Sequence, residues 1–200
     1  MRTLIIVALL AAGAASLMAQ APQGAPPGGG RGRGPQTPPL IMTTTAFEDG
    51  GVIPDKYTQA AGAMAPSPAL SWSQVPMGTQ SFAIIMHDPE PVLNKGSKMD
   101  ITHWVIWNIP GTSTGLAEGV AAGELPDGSR QVSLRSNSYM GPGAPPGPYH
   151  HYTFELYALD IKLDVPQGTP QDAANTRTAI VNAMDGHVLG KAILVGRFHR

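Results

Sequence analysis

From Leu40 onward, apolar residues come in short runs separated by turn signals, and the runs are of two kinds. Ser81–Met86 (SFAIIM) is almost unbroken and predicts a buried strand. Ile101–Ile109 (ITHWVIWNI) is apolar on both faces, as expected of a central strand between two layers. His151–Leu159 (HYTFELYAL) alternates cleanly, and Lys191–Phe198 (KAILVGRF) reads as a last strand. Stretches such as EDGG, APSP, LPDG and PPGP punctuate them. This spacing predicts a mainly β chain folded as an antiparallel sandwich, not a parallel sheet with crossover helices.

One helix is marked, over about 170–185. Thr169 can cap it, Pro170 suits its first position, and Asp172 suits its positive N-terminal end. Ala173, Ile180, Val181 and Met184 recur at helical spacing and predict its buried stripe, with Gly186 as the stop.

The pattern before Leu40 is different. Arg2, the apolar run from Leu4 to Leu10 with the alanines after it, and small residues near Ala19–Ala21 predict an export signal over 1–19. The run is shorter than the roughly 20 apolar residues of a spanning helix, so no stable membrane span is expected after cleavage. Residues 20–39 (QAPQGAPPGGGRGRGPQTPP) lack apolar side chains to bury and predict a disordered linker. GGGRGRG imitates a phosphate loop but lacks a strand before it and a helix after it. The folded domain is expected over 40–200, and the mature protein in the periplasm or outside the cell.

Composition narrows the chemistry. Charged residues make up 14% and the formal net charge is −1, which gives no basic stripe for nucleic acid. There is no cysteine, so a thiol nucleophile, a disulfide framework and a Cys-type zinc site are excluded. No Gly-x-Ser-x-Gly elbow is present. GHVLGKA (186–192) imitates a Walker motif, but it is one residue short and its helix lies on the wrong side. No catalytic residue, cofactor or metal is assigned.

The candidate chemistry sits where strands meet loops. His150, Tyr152, Phe154, Leu156 and Ala158 share the more apolar face of their strand, which puts His150 and Tyr152 at its inner, loop-proximal end and turns His151 outward. Asp88 follows the strand Ser81–Met86, with Pro89 and Pro91 stiffening the exit. His103 lies inside the two-sided apolar strand and needs a polar partner. An aspartate at the neighbouring strand end would orient that imidazole and raise its pKa. Asp88, His103 and His150 also form a conceivable two-His-one-carboxylate set, at spacings that match no local metal signature.

FEDGGVIPDKYT, SPALSWSQVPMGTQSFAIIMHDPEP, HWVIWNIP, GPGAPPGPYHHYTFELYALD and AMDGHVLGKAILVGRFHR, in that order, resemble the phosphatidylethanolamine-binding protein family, in particular its bacterial Raf-kinase-inhibitor-like (YbhB/YbcL-type) branch. The resemblance covers roughly Phe47 to Arg200. It implies a Greek-key-like β-sandwich with an anion pocket whose polar lining is Asp88, His103, His150 and Tyr152. It also implies that Gly141 and Gly143 bring backbone N–H groups toward the anion and that Glu90 and Pro91 belong to the rim. The implied ligand is a small phosphate-bearing molecule or phospholipid head group. The first motif is one residue shorter than the family's Asp-Pro-Asp-Ala-Pro, and His151 stands where an arginine is usual. Tyr149 could stack at the mouth or plug it.

Two further readings stand beside binding. One is a protein partner at the pocket rim, such as a periplasmic peptidase. The other is acid–base or metal-dependent catalysis by Asp, His and Tyr.

Overall fold

The computed structural model describes residues 38–200 apart from 63, 92–94 and 96–99. The expected signal lies outside the described residues, as does the expected linker up to 37. Pro38 and Pro39 are exposed, and burial begins at Leu40.

The strands are β1 (Ile41–Thr43), β2 (Gly51–Val52), β3 (Leu70–Ser73), β4 (Ser81–Asp88), β5 (Ile101–Pro110), β6 (Gly115–Leu116), β7 (Arg130–Val132), β8 (His150–Leu159) and β9 (Val188–Phe198). They form a three-stranded sheet, β1-β3-β6, and a six-stranded sheet, β2-β9-β8-β4-β5-β7. The main core lies between the sheets. Met42, Leu70 and Trp72 of the small sheet meet Phe82, Ile84, Met86, Trp104, Ile106, Phe154 and Leu156 of the large one.

The other face of the large sheet has its own core. Ala83, Ile85, Val105 and Trp107 pack there against Leu163, Val165 and helix α1 (Ala173–Ala183). β4 and β5 are therefore covered on both sides, which is why their sequences are apolar without alternation. β8 alternates because its inner residues from Tyr152 to Ala158 are buried while the outer ones from His151 to Tyr157 are exposed or half-buried. Trp104 and Trp107 fall into different cores, and neither is exposed. Burying a large apolar side chain contributes about 1.5–3 kcal/mol, so these two central strands anchor the domain.

Two expectations need correction. First, the large sheet is not wholly antiparallel, because β2 runs parallel to β9. A parallel neighbour needs a long connection, and the chain between Val52 and Val188 supplies it. Ile53 then lies over Gly196, where a Cβ would come within 2.4 Å of its Cγ1. Second, Val181 is 46% exposed. The helix buries Ala173, Thr176 and Ile180, followed by Met184, so its stripe is narrower than the sequence suggested. A 3₁₀ turn, Pro170–Asp172, precedes α1, and the Thr169 side chain makes no capping bond to backbone. Gly186–Ala192, which imitates a Walker motif, runs into strand β9, and Lys191 pairs with Glu155 at 2.8 Å.

Among the described residues no helix is long and apolar enough to cross a membrane.

Candidate anion pocket

The site lies at one end of β4, β5 and β8, under the loop that joins β7 to β8. β4 ends at Asp88, since Pro89 lacks the N–H that another ladder bond would need. The Asp88 Oδ1 accepts from the Glu90 amide at 3.1 Å, which folds the turn back on itself. β8 starts at His150, directly after a loop rich in glycine and proline.

That loop is clamped from below. The Pro142 carbonyl accepts from the Gln59 amide at 2.8 Å, and the Gly141 carbonyl accepts from Gln59 Nε2 at 2.9 Å. The buried Tyr139 hydroxyl donates to the Tyr57 carbonyl at 2.9 Å. A Cβ on Gly141 would lie 2.6 Å from the Tyr57 carbonyl oxygen, so only glycine lets the two backbones approach this closely.

His103 reaches the pocket through an irregularity. Met86 pairs with Trp104 and His87 with Thr102, so His103 is an extra residue on β5. Strict alternation would set His103 on the face opposite Trp104. The bulge turns it to the inner side, edge-on to Tyr152, with ring centroids 5.0 Å apart.

These elements enclose a cavity of about 320 Å³. Asp88, Pro91, His103, Gly143, His150 and Tyr152 line it, with Gln59, Arg135 and Met140. Six of the eight residues expected at the site therefore meet there. Glu90 stands just outside, its carboxylate accepting from the backbone amide of His151 at 3.0 Å and from the His151 ring at 2.6 Å. Gly141 lies beneath the cavity, against Tyr57.

The polar contacts differ from those expected in three ways. Asp88 pairs with His150, not His103: the His150 Nδ1–H donates to Oδ2 at 2.7 Å. His103 donates instead from Nδ1 to the Met140 carbonyl, at 2.9 Å. Its pKa is lowered to about 4 rather than raised, because burial outweighs the pull of the Met140 and Gly141 carbonyls. Finally, the Gly143 N–H points at the Tyr152 hydroxyl oxygen (3.2 Å), as does that of Ala144 (3.1 Å). Tyr152 thus takes up the Gly143 amide, one of the two expected to face an anion.

Burial raises the pKa of Asp88 above the usual carboxylate range, although its bond to His150 opposes this. Burial, followed by the Asp88 charge, pushes the Tyr152 phenol well above its ordinary value, so it stays protonated. Tyr149 does not plug the mouth; it packs edge-on against His199 with ring centroids 4.1 Å apart. His87 faces the other side of the sheet and binds Asp100 at 2.6 Å. His187 binds Asp160 at 2.8 Å and is half-buried.

Sequence reasoning missed Arg135. It is an exposed cation at the cavity lining, on the segment after β7. One signal was available: it is the only charged residue between Gln131 and Tyr149. As for a cation, the ligating atoms of Asp88, Glu90 and His150 lie within 4.8 Å of one another, a different trio from the conceivable set of Asp88, His103 and His150. A larger open groove of about 740 Å³, between α1 and the start of β9, offers mostly apolar walls such as Val181, Met184 and Val188.

A β-sandwich with Asp, two His and Tyr gathered under a Gly/Pro loop defines a class. The family profile of phosphatidylethanolamine-binding proteins matches residues 43–199, and the chain belongs to that family. It is 45% identical over 164 residues to a UPF0098 protein of Methanothermobacter thermautotrophicus, covering 80% of this chain and 99% of that one. Among solved structures it is similar to a phosphatidylethanolamine-binding protein homologue of Chlamydia trachomatis. That match has 30% identity and a TM-score of 0.67, covering 81% of this chain and 98% of the other. Escherichia coli YbcL, at 24% identity and a TM-score of 0.66, shares the fold over 80% of this chain and 98% of its own.

Proposed function

We propose that this chain is an exported binding protein whose pocket takes a small phosphate-bearing ligand. The observation that carries the reading is the cavity of about 320 Å³ in which Arg135, the Asp88–His150 pair, His103 and Tyr152 converge. A volume near the low end for ligand sites suits a head group or a phosphorylated metabolite. Arg135 supplies a permanent cation at the mouth. Asp88 would repel an anion on its own. Bound to His150 Nδ1, it orients that ring, and in the ring's charged form Nε2–H donates to an oxyanion. A partly open site of this kind is expected to bind in the micromolar to millimolar range, about 4–8 kcal/mol. Export rests on the N-terminal pattern of residues 1–19.

The test is a heteronuclear NMR titration of the chain with phosphate, phosphoethanolamine and a zinc salt, with His150→Ala as control. Saturable shifts at His150, Arg135 and Gly143 with the phosphates, lost in the variant, are expected. A response to zinc alone would replace this reading with a cation site at Asp88, Glu90 and His150. Silence toward all three would sink both and leave the rim as a surface for a protein partner.

A further inference from the structure

His103 has one ring nitrogen to offer a ligand, and its chemistry is fixed by the other. The Met140 carbonyl can only accept, so the Nδ1 that faces it at 2.9 Å carries the proton. In a neutral imidazole Nε2 is then a bare lone pair. The ring is 3% exposed and lines the cavity, and among the described residues its side-chain hydrogen bond is that of Nδ1 to Met140. Tyr152, edge-on at 5.0 Å, holds the ring in place.

The ring also stays neutral near physiological pH. Burial holds its pKa near 4, and the charges of Arg135 and His87 act in the same direction. The Met140 and Gly141 carbonyls oppose this without overcoming it. The pocket is thus two-sided: Arg135 presents a permanent positive charge and N–H groups, while His103 presents an acceptor.

We propose that His103 is a specificity-determining residue, which accepts a hydrogen bond from the bound oxyanion and so selects a singly protonated phosphate monoester over oxyanions of equal charge that carry no hydroxyl. This rests on the phosphate reading above and deepens it. The P–OH of a monoester monoanion donates to Nε2. A phosphodiester or a sulfate ester turns only acceptor oxygens toward the same lone pair. Leaving a buried acceptor unmatched is expected to weaken binding about tenfold. A lipid phosphodiester head group then binds less well than a free phosphomonoester.

The experiment compares methyl phosphate, dimethyl phosphate and methyl sulfate at about pH 5.5. That pH lies between the His103 pKa near 4 and the second pKa of a phosphomonoester, about 6. Each ligand then carries mainly one negative charge, so charge does not separate them. Methyl phosphate is expected to bind about tenfold more tightly than the other two, and His103→Phe should shrink that ratio toward one. Because the variant could misfold, long-range ¹⁵N correlation spectra of the unaltered chain give a second readout. They should show His103 protonated at Nδ1 alone, with Nε2 shifting when methyl phosphate is added. Equal affinities for all three ligands, or a doubly protonated ring at this pH, would overturn the role of His103 and leave anion binding intact. Binding of none would remove the phosphate reading and this inference with it.

Discussion

The two histidines of the pocket reach it by different routes. His150 opens a regular strand, β8, and the period-two rule puts it beside Tyr152 on the inner face. His103 lies on β5 and reaches the same cavity only because a bulge breaks that rule. Their partners differ as well. His150 holds a carboxylate, whereas His103 holds a carbonyl inside the protein, where burial favours the neutral ring. A regular element therefore supplies the wall that is bonded to a carboxylate, and an irregular one supplies the wall that burial keeps neutral.

The sharpest way to break this comparison is pH. His103 has a pKa near 4 in the folded chain and about 6.5 when unfolded. As pH falls, the unfolded chain takes up this proton first. The stability His103 contributes is therefore full above about pH 6.5, declines through the window below it, and is gone below about pH 4. The whole loss is about 3 kcal/mol, of which about 2 kcal/mol falls between pH 7 and pH 5. Glu90, Asp100 and Glu155, whose pKa values are lowered, lose their contributions only at more acidic pH. Asp88, raised by burial, works in the opposite sense, favouring the folded chain as it takes up its proton. Urea unfolding at the two pH values measures the change, and His103→Asn should remove most of it. An equal slope in the variant would assign the titration to another group.

A smaller effect separates the two walls by structure. Gly141→Ala would drive a Cβ into the Tyr57 carbonyl and Thr58, at 2.6 and 2.9 Å, so the loop must move. The neighbouring Met140 carbonyl would move with it, and that carbonyl fixes His103. The expected cost is about 1–2 kcal/mol in unfolding free energy. Ring resonances of His103 should shift, while the contact between His150 and Asp88 persists in nuclear Overhauser spectra. Loss of both contacts would mean that the walls are one mechanical unit.

The same contrast explains which features were legible in the sequence. β4, β5, β8 and β9 each carry eight or more residues, enough for burial on one face or both to leave a pattern. β2 and β6 have two residues each and leave none. His150 and Tyr152 were placed by alternation alone. The face of His103 could not be, because its bulge is a property of the ladder between β4 and β5 rather than of either strand. The same reason hid the partner of Asp88: strand ends converge according to register, and register is set by the whole sheet. Val181 misled because an apolar residue beside a narrow helical stripe looks the same in sequence whether it is covered or not.

The smallest effect concerns the neighbour of His150. His151 is adjacent in sequence but points outward, its ring 50% exposed and bonded to Glu90 at 2.6 Å. Burial works against ionising Glu90, yet the His151 contacts outweigh it and hold Glu90 below the usual carboxylate range. The Glu90 side chain is itself 36% exposed, so solvent screens the pair, and His151→Ala is expected to cost about 0.5 kcal/mol or less. Its effect on phosphate affinity should be less than about twofold, since Glu90 stands outside the cavity and neither side chain lines it. His150→Ala removes the donor that Asp88 orients, and binding should be lost. The pair of variants thus tests alternation at single-residue resolution, by titration with phosphate. If His151→Ala weakened binding as much as His150→Ala, the rim around Glu90 would belong to the ligand site, and the pocket would extend over the outer edge of β8.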